Sequence, residues 1–210
     1  LFFFFFSDYG QYRLKSIVDK GSNEALLSKV VLDYSGDSGS PATGPGQFSL
    51  LDHVKNERGG VTTIEYGSSL NDNLALNDDP NTGTRKLVKS ITEALGPGGN
   101  ARTVDYFYDE SHYDTARSRS LGFHRVVARL PKLEGETERK YIVNYFTNMD
   151  YAQNSIISYR SYFAKYNWKN PDSPDNIRVR RINYNYDTTW TGNGPWRALL
   201  TGIVRDAWED

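Results

Sequence analysis

Three histidines, His53, His112 and His124, are the only imidazole donors in the 210-residue chain, which contains no cysteine. His112 lies in the sequence ESHYD between Glu110 and Asp114, so these side chains form a local cluster of metal-binding residue types. Zinc sites on one element use a short fixed spacing such as H-x-x-x-H, and this spacing does not occur in the chain. We therefore expect a solvated turn at His112 and no metal site.

A second candidate for chemistry is Gly36–Ser40, GDSGS, which is similar to the nucleophile segment of chymotrypsin-like serine proteases. A nucleophilic serine needs a histidine base and an aspartate that orients it. Neither residue stands in a matching sequence context, so we do not expect protease activity. The lack of cysteine also excludes a cysteine nucleophile, a zinc–thiolate site and a disulfide framework.

Four carboxylates lie close together in the sequence and could face each other as the acid pair of a glycosidase does: Asp105, Asp109, Glu110 and Asp114. Glycosidase chemistry also requires a cleft of the right width, which a sequence does not show. We therefore expect no catalytic residue, no cofactor and no enzymatic activity.

Three tryptophans, Trp168, Trp190 and Trp196, are the candidate contacts for a ligand or partner. Aromatic rings stack on sugar rings, so together with the 15 tyrosines they could form a platform for a glycan or a host-surface partner. Packing in a core or on a sheet face is the default alternative for such residues.

The charge balance indicates no polyanionic partner. The chain has 25 basic and 26 acidic residues, a formal net charge of −1, and the short basic run Arg178, Arg180 and Arg181 fits a solvated strand face. We expect no nucleic-acid partner. The apolar run Leu1–Phe6 is too short to span a bilayer, so we interpret it as a strand and expect no membrane span.

The stretch Arg102–Leu130 is the centre around which these residues must be arranged. Val104, Tyr106 and Tyr108 alternate with polar residues and with Phe107, which predicts a strand over Arg102–Asp109. Glu110–Arg119 is charged and typical of a turn. Gly122 then opens a second predicted strand, Phe123–Leu130.

The rest of the chain repeats this pattern of short strands and polar turns, about eight to ten strands in all, without a convincing helix. We predict strands at Tyr12–Lys20, Leu26–Tyr34, Phe48–Lys55, Val61–Tyr66, Leu87–Ala94, Lys140–Asn148 and Ile177–Asp187. Gly67–Thr84 is predicted to be a surface excursion. Tyr151–Asn167 fits either a helix or irregular strands. In Trp196–Trp208 a helical stripe of apolar residues competes with Gly202 and β-branched residues, and we favour a strand.

This pattern predicts an all-β fold of antiparallel strands and hairpins. Either a sandwich or a β-shell segment satisfies it. We expect residues 1–210 to form a single β-rich region, with 96–101 as the candidate point of subdivision, and to be a fragment of a larger protein.

Two segments carry a resemblance to a known family. Leu50–Ser69, LLDHVKNERGGVTTIEYGSS, and Arg102–Val127, RTVDYFYDESHYDTARSRSLGFHRVV, resemble consecutive segments of the B components of bacterial insecticidal toxin complexes, which also occur in plasmid-virulence proteins and proteins with RHS (tyrosine–aspartate, YD) repeats. YNYD at Tyr184–Asp187, followed by Arg197–Val204, is similar to the start of a YD-type strand pair.

The resemblance implies a structural role. It implies a secreted bacterial virulence protein whose β-shell or assembly encloses or presents a toxin, with other segments or subunits of that assembly as partners. The alternative from the residues alone is a free-standing β-sandwich that binds carbohydrate or a surface partner.

Overall fold

The computed structural model describes residues 2–6, 12–20, 26–34, 50–69, 74–96, 99–116, 118–147, 156–187 and 199–207. Its secondary structure is almost entirely strand, and one 3₁₀ turn, Pro80–Thr82, is described. The strands are β1 (Phe2–Phe6), β2 (Tyr12–Lys20), β3 (Leu26–Tyr34), β4 (Leu51–Asn56), β5 (Val61–Ser68), β6 (Ala75–Leu76), β7 (Lys86–Ala94), β8 (Arg102–Asp114), β9 (Arg119–Arg129), β10 (Tyr141–Thr147), β11 (Ile156–Lys165), β12 (Ile177–Asp187) and β13 (Leu199–Ala207). No helix in these ranges has the length and apolar character needed to cross a membrane.

The strands form one open sheet, and they follow one another in chain order except for β6, which pairs with β8 in parallel. Antiparallel pairing of successive strands is the arrangement that short hairpin turns permit. Residues such as Val61, Thr62, Thr63 and Ile64 fit a pleated, half-buried surface, which is why these segments form strands. The prediction of an all-β, antiparallel fold is confirmed.

The chain folds as two compact units, each assembled from two stretches of sequence. The first contains Leu1–Glu65 and Ser90–Thr103, and the second contains Tyr66–Lys89 and Val104–Asp210. The expectation of a single β-rich region with subdivision near 96–101 stays a prediction.

The central hairpin is longer than its sequence suggests, and the predicted bounds of its turn, Glu110–Arg119, are too wide because the strands extend to Asp114 and from Arg119. Strand β8 continues to Asp114, and β9 already begins at Arg119. Polar residues can extend these strands because they find partners: Ser111, which pairs with Phe123, accepts a hydrogen bond from the Asp79 amide at 2.5 Å. Glu110 (φ 53°) and Gly122 (φ 87°) have left-handed backbone conformations, and the register shifts just beyond them. The strand therefore bends at these residues instead of ending there.

The described part of Gly67–Thr84 is attached to the second unit, so the expected surface excursion is also wrong. Ser68, Ser69 and Leu74 are buried. The Leu74 carbonyl accepts a hydrogen bond from the Tyr108 amide at 2.8 Å, and β6 then runs beside β8. The loop contributes a short strand to the sheet, which its Asn/Asp-rich composition does not indicate.

Two ambiguous segments are strands in the structure. Ile156–Lys165 forms β11, and Leu199–Ala207 forms β13, which confirms the strand prediction for this part of the tail. Gly202 and the β-branched Thr201, Ile203 and Val204 fit a strand better than a helix. Gly36–Ser40 lies outside the described residues.

The core of the second unit lies on one face of β8 to β11. Val127, Val143, Phe163 and Tyr166 are buried together there, and half-buried aromatic rings pack around them: Phe107, Tyr141, Tyr145 and Trp168. Phe107 pairs with Val127 and Val127 with Val143, so the three side chains lie side by side across the strands. This face positions the candidate site.

Candidate functional site

A buried ion pair between β8 and β9 is the most constrained polar site in the described residues. Asp109 and Arg125 are direct cross-strand partners, with exposed fractions of 2% and 3%. Arg125 donates from Nη2 to Asp109 Oδ2. Asp109 Oδ1 accepts from Asn77 Nδ2 at 2.9 Å and from the Glu110 amide at 3.0 Å. The carboxylate thus has a charged partner and two neutral donors, as a buried charge requires.

The same arginine ties the strands to the segment that follows β11. Its Nη1 donates to the Tyr166 hydroxyl at 2.8 Å, and its Nη2 lies 3.4 Å from the Trp168 carbonyl oxygen. The Tyr166 ring packs on Phe163 with ring centroids 4.4 Å apart. The Trp168 ring stacks on Phe107, also at 4.4 Å. Arg125 therefore anchors Tyr166–Trp168 over the core by both charge and aromatic packing.

The surroundings of Arg125 and Tyr166 keep both side chains in their protonated forms. Burial by itself would lower the pKa of Arg125, but Tyr166, Asp109 and Tyr145 together outweigh burial and raise it. Burial is also the main reason that the pKa of the Tyr166 hydroxyl is raised. Neither Arg125 nor Tyr166 therefore exchanges a proton near neutral pH. The geometry holds strands together, and it does not supply a general acid or base.

A second ionic network lies four residue pairs along the same hairpin. Asp105 Oδ2 accepts from Arg129 at 2.9 and 3.1 Å and from Arg139 Nη1 at 2.8 Å. Asp105 and Arg129 are again direct partners, with Phe107 between the two aspartates on β8. A slip of one residue would move every one of these side chains to the other face of the sheet. The two ion pairs consequently fix the register of the hairpin.

The four carboxylates considered for glycosidase chemistry therefore differ in their partners and in their exposure. Asp105 and Asp109 are each held by arginine, and Phe107 lies between them on the strand. Asp114 is buried and Glu110 is exposed. His112 lies in β8 and not in a solvated turn. The described residues contain no group of three or more His, Cys, Asp or Glu side chains arranged for a metal ion.

Trp168 is half-buried, and its neighbours are Phe107 and Lys169, whose Nζ lies 5.7 Å from the indole ring. Trp190 and Trp196 lie outside the described residues. Contact of the three tryptophans with a glycan or surface partner stays a prediction. The basic run lies on β12 with Arg178 and Arg180 exposed, as a solvated strand face requires. Arg181 also lies 3.9 Å from the ring centroid of Tyr159 and Arg180 5.8 Å from that of Tyr162.

Sequence reasoning missed Arg125 and Tyr166, the two residues that join the elements of this site. One signal for Arg125 was present: Asp105 with Arg129 and Asp109 with Arg125 share residue 117 as their midpoint, as pairs across one hairpin must. Tyr166 lies 41 residues from Arg125, and no spacing in a single sequence indicates that contact.

The tyrosine face of β8 leads to a prediction about alkaline pH. Burial, followed by the neighbouring Tyr106 and Tyr66, raises the pKa of Tyr108 to about 12, and its hydroxyl donates to the Val88 carbonyl at 2.9 Å. A pKa that is higher in the folded protein stabilises the fold below pH 10, and this stabilisation, about 2–3 kcal/mol, is lost as the pH rises from 10 to 12. Urea unfolding at a series of pH values measures the loss. Tyr108→Phe is expected to make the fall above pH 10 shallower, and an equally steep fall in that variant would contradict the assignment to Tyr108.

Comparison with known proteins shows a family match and a similar solved structure. The family described as the insecticide toxin TcdB middle/N-terminal region matches residues 32–154, more than half of the chain. A search of curated proteins finds no match. Among solved structures, the chain is similar to the crystal structure of TcdB2-TccC3 without hypervariable C-terminal region, at 11% identity and a TM-score of 0.41. That likeness covers 81% of this chain and 12% of the other.

The matched range includes both segments that resemble toxin-complex B components, and also both members of the buried Asp109–Arg125 pair. The chain therefore belongs to the family of the insecticide toxin TcdB middle/N-terminal region.

Proposed function

We propose that this chain is a structural segment of a secreted, toxin-complex-B-like bacterial virulence protein related to the RHS (YD-repeat) proteins. It contributes strands to a β-shell or assembly that encloses or presents a toxin, and it has no catalytic activity of its own. Its partners are other segments or subunits of that assembly. The observation that carries the proposal is the exposed apolar edge of β13, the last strand of the described sheet.

Strand β13 is paired on one side only among the described strands, with β12. It exposes large apolar side chains: Leu200 is 47% exposed, Ile203 48% and Val204 49%. Because consecutive residues of a strand point to opposite faces, Ile203 and Val204 expose apolar surface on both sides of the sheet.

An exposed apolar edge strand promotes aggregation in a protein that acts alone. An edge with unpaired backbone groups and apolar side chains offers itself for pairing with another chain. Natural edge strands usually avoid this with charges, proline or short length. Strand β13 has nine residues and no proline, and its charged residues, Arg205 and Asp206, lie beyond the exposed apolar residues Leu200, Ile203 and Val204. These features support a wall segment that another segment of the assembly continues.

The hairpin geometry supports the same proposal. Ion pairs Asp105–Arg129 and Asp109–Arg125 fix the register, and Arg125 anchors the segment after β11 over the core. A wall segment needs strands with a fixed register, and it does not need a mobile catalytic loop. Family membership supports the association with a toxin.

Light scattering on a chromatography column, over a range of protein concentrations, tests the wall-segment proposal. We expect the average mass of the isolated chain to rise with concentration as β13 edges pair. The double variant Ile203→Lys/Val204→Lys is expected to remain monomeric, because the lysines of two β13 edges that approach each other carry like charges and repel.

Leu133→Lys is the matched control, since Leu133 is also 49% exposed but lies in the turn between β9 and β10. This variant should associate as the unmodified chain does. A chain that stays monomeric at every concentration, or association that survives the lysines on β13, would count against the wall segment.

A further inference from the structure

Two tyrosine rings are stacked on each other across neighbouring strands of the second unit. Tyr145 on β10 and Tyr159 on β11 are direct cross-strand partners. Their ring centroids lie 4.1 Å apart, and the ring planes differ by 20°. Aromatic pairs in proteins usually have centroids about 4.5 to 7 Å apart, so this stack is a close one. The strand register therefore holds two phenol rings within reach of each other.

The surroundings of the stack restrict which rings can react. Arg181 on β12 lies over the ring of Tyr159, 3.9 Å from the ring centroid. Because β10 and β12 lie on either side of β11, Tyr145 and Arg181 approach Tyr159 from opposite sides. Both tyrosines are half-buried, so an oxidant in solvent has access to their edges. Tyr159 thus has a single tyrosine as its close cross-strand partner.

The composition of the chain favours oxidation at aromatic rings. Cysteine and methionine are the common sites of side-chain oxidation, and the chain has no cysteine and one methionine but 15 tyrosines. A chain so poor in sulfur loses electrons mainly from tyrosine and tryptophan. The lack of cysteine also means that no disulfide can join its strands covalently.

We propose that Tyr145 and Tyr159 form a modification site at which oxidation joins the two rings as dityrosine. The oxidant class is a peroxide that acts through a haem peroxidase in one-electron steps. The product is a covalent cross-link between β10 and β11. Such a link restricts the unfolded chain, as a disulfide does, and leaves the folded sheet intact.

The reaction consumes two tyrosines and one hydrogen peroxide. Each phenol loses one electron and its hydroxyl proton, and the two radicals form one C–C bond between ring carbons ortho to the hydroxyl groups. The hydrogens on those carbons then move to the oxygens, which restores both phenols. Peroxide takes up two electrons and two protons and leaves as two waters. Burial, followed by the neighbouring Tyr145, raises the pKa of Tyr159, so this phenol holds its proton at neutral pH until it is oxidised.

The space between the strands fits the product. One C–C bond between two rings places their centroids about as far apart as they are in the stack, so β10 and β11 keep their spacing while the rings turn about their side-chain torsions. The register shifts immediately after Tyr145, between Tyr145 and Phe146. A bulge of this kind re-aims a neighbouring side chain at little cost to the rest of the sheet.

The test is oxidation of the full chain by hydrogen peroxide and a haem peroxidase, followed by isolation of the monomer on a chromatography column. We expect dityrosine fluorescence in the monomer and a mass lower by two hydrogens. Trypsin releases residues 141–160 as one peptide, and a protease that cuts before Asp150 divides it into 141–149 and 150–160. These two peptides should remain joined after oxidation.

Tyr145→Phe and Tyr159→Phe should each abolish the joined peptides, because phenylalanine keeps the ring but has no phenol to oxidise. Tyr141→Phe is the matched control: Tyr141 is also half-buried on β10, but its cross-strand partner is Phe163, so this variant should cross-link as the unmodified chain does. A thermal melt before oxidation checks that each variant folds.

Oxidation of the unmodified chain in concentrated urea provides a second measurement, which does not depend on the folding of a variant. The joined peptides should be lost there, because unfolding separates the rings. Absence of the joined peptides from the folded monomer, their persistence in Tyr145→Phe or Tyr159→Phe, or an equal yield in urea would overturn the proposal.

Discussion

Replacing Asp109 by alanine is expected to lower the free energy of unfolding by about 3–5 kcal/mol, the cost of leaving a buried charge without its partner. Arg125 would keep its positive charge at 3% exposure with only the neutral oxygens of Tyr166 and Trp168 nearby. Asn77 would also lose the acceptor for its side-chain amide. Urea unfolding followed by tryptophan fluorescence measures the change, because Trp168 stacks on Phe107 in the second unit.

Two comparisons make this prediction specific to burial. Arg139→Ala removes a partly exposed ion pair with Asp105 in the same unit, where the Arg139 side chain is 41% exposed, and should cost no more than about 1 kcal/mol. The double variant Asp109→Leu/Arg125→Met should be more stable than Asp109→Ala, because it removes both charges together. If Asp109→Ala costs no more than Arg139→Ala, the buried pair does not hold the hairpin.

The reason for a buried pair lies in the composition of the sheet. Hydrophobic residues make up 38% of the chain, and few of the described ones are fully buried. A fully buried ion pair seldom adds net stability compared with a well-packed apolar pair. Asp109 and Arg125 instead provide specificity: of the registers open to a hairpin with alternating residues, only one brings both carboxylates to arginines.

Much of the fold could be predicted because its signals are local. Val61–Tyr66 and Ile177–Asp187 alternate or are rich in aromatic and β-branched residues, and each lies on a strand in the structure. The predicted strand Lys140–Asn148 contains β10, Tyr141–Thr147. The strand period depends only on neighbouring residues, so a single sequence is sufficient to show it.

The failures occur where tertiary partners override local preference. Glu110–Arg119 has the composition of a turn, yet Ser111 and Asp114 are buried in β8. Ser111 has a partner distant in sequence, because its hydroxyl accepts a hydrogen bond from the Asp79 amide. Trp168 is similar: its stacking on Phe107 joins residues 61 positions apart, which a single sequence does not reveal. Composition predicts the cost of burying a polar residue but not the presence of its partner.

Phe163→Ala is expected to lower the free energy of unfolding of the second unit by about 3–5 kcal/mol, comparable to loss of the ion pair but for a different reason. The Phe163 ring is 7% exposed and packs with Val127, Val143 and Tyr166, so its removal leaves a cavity where Tyr166 is anchored. Phe163→Leu, which keeps most of the volume, should cost less than about 1.5 kcal/mol. Urea unfolding should show a lower midpoint with an unchanged slope, which separates a less stable core from a less compact native state.

Because Tyr166 links the Phe163 ring to Arg125, the costs of Phe163→Ala and Asp109→Ala should not add in the double variant. Fully additive costs would mean that the aromatic core and the buried charges stabilise the wall independently.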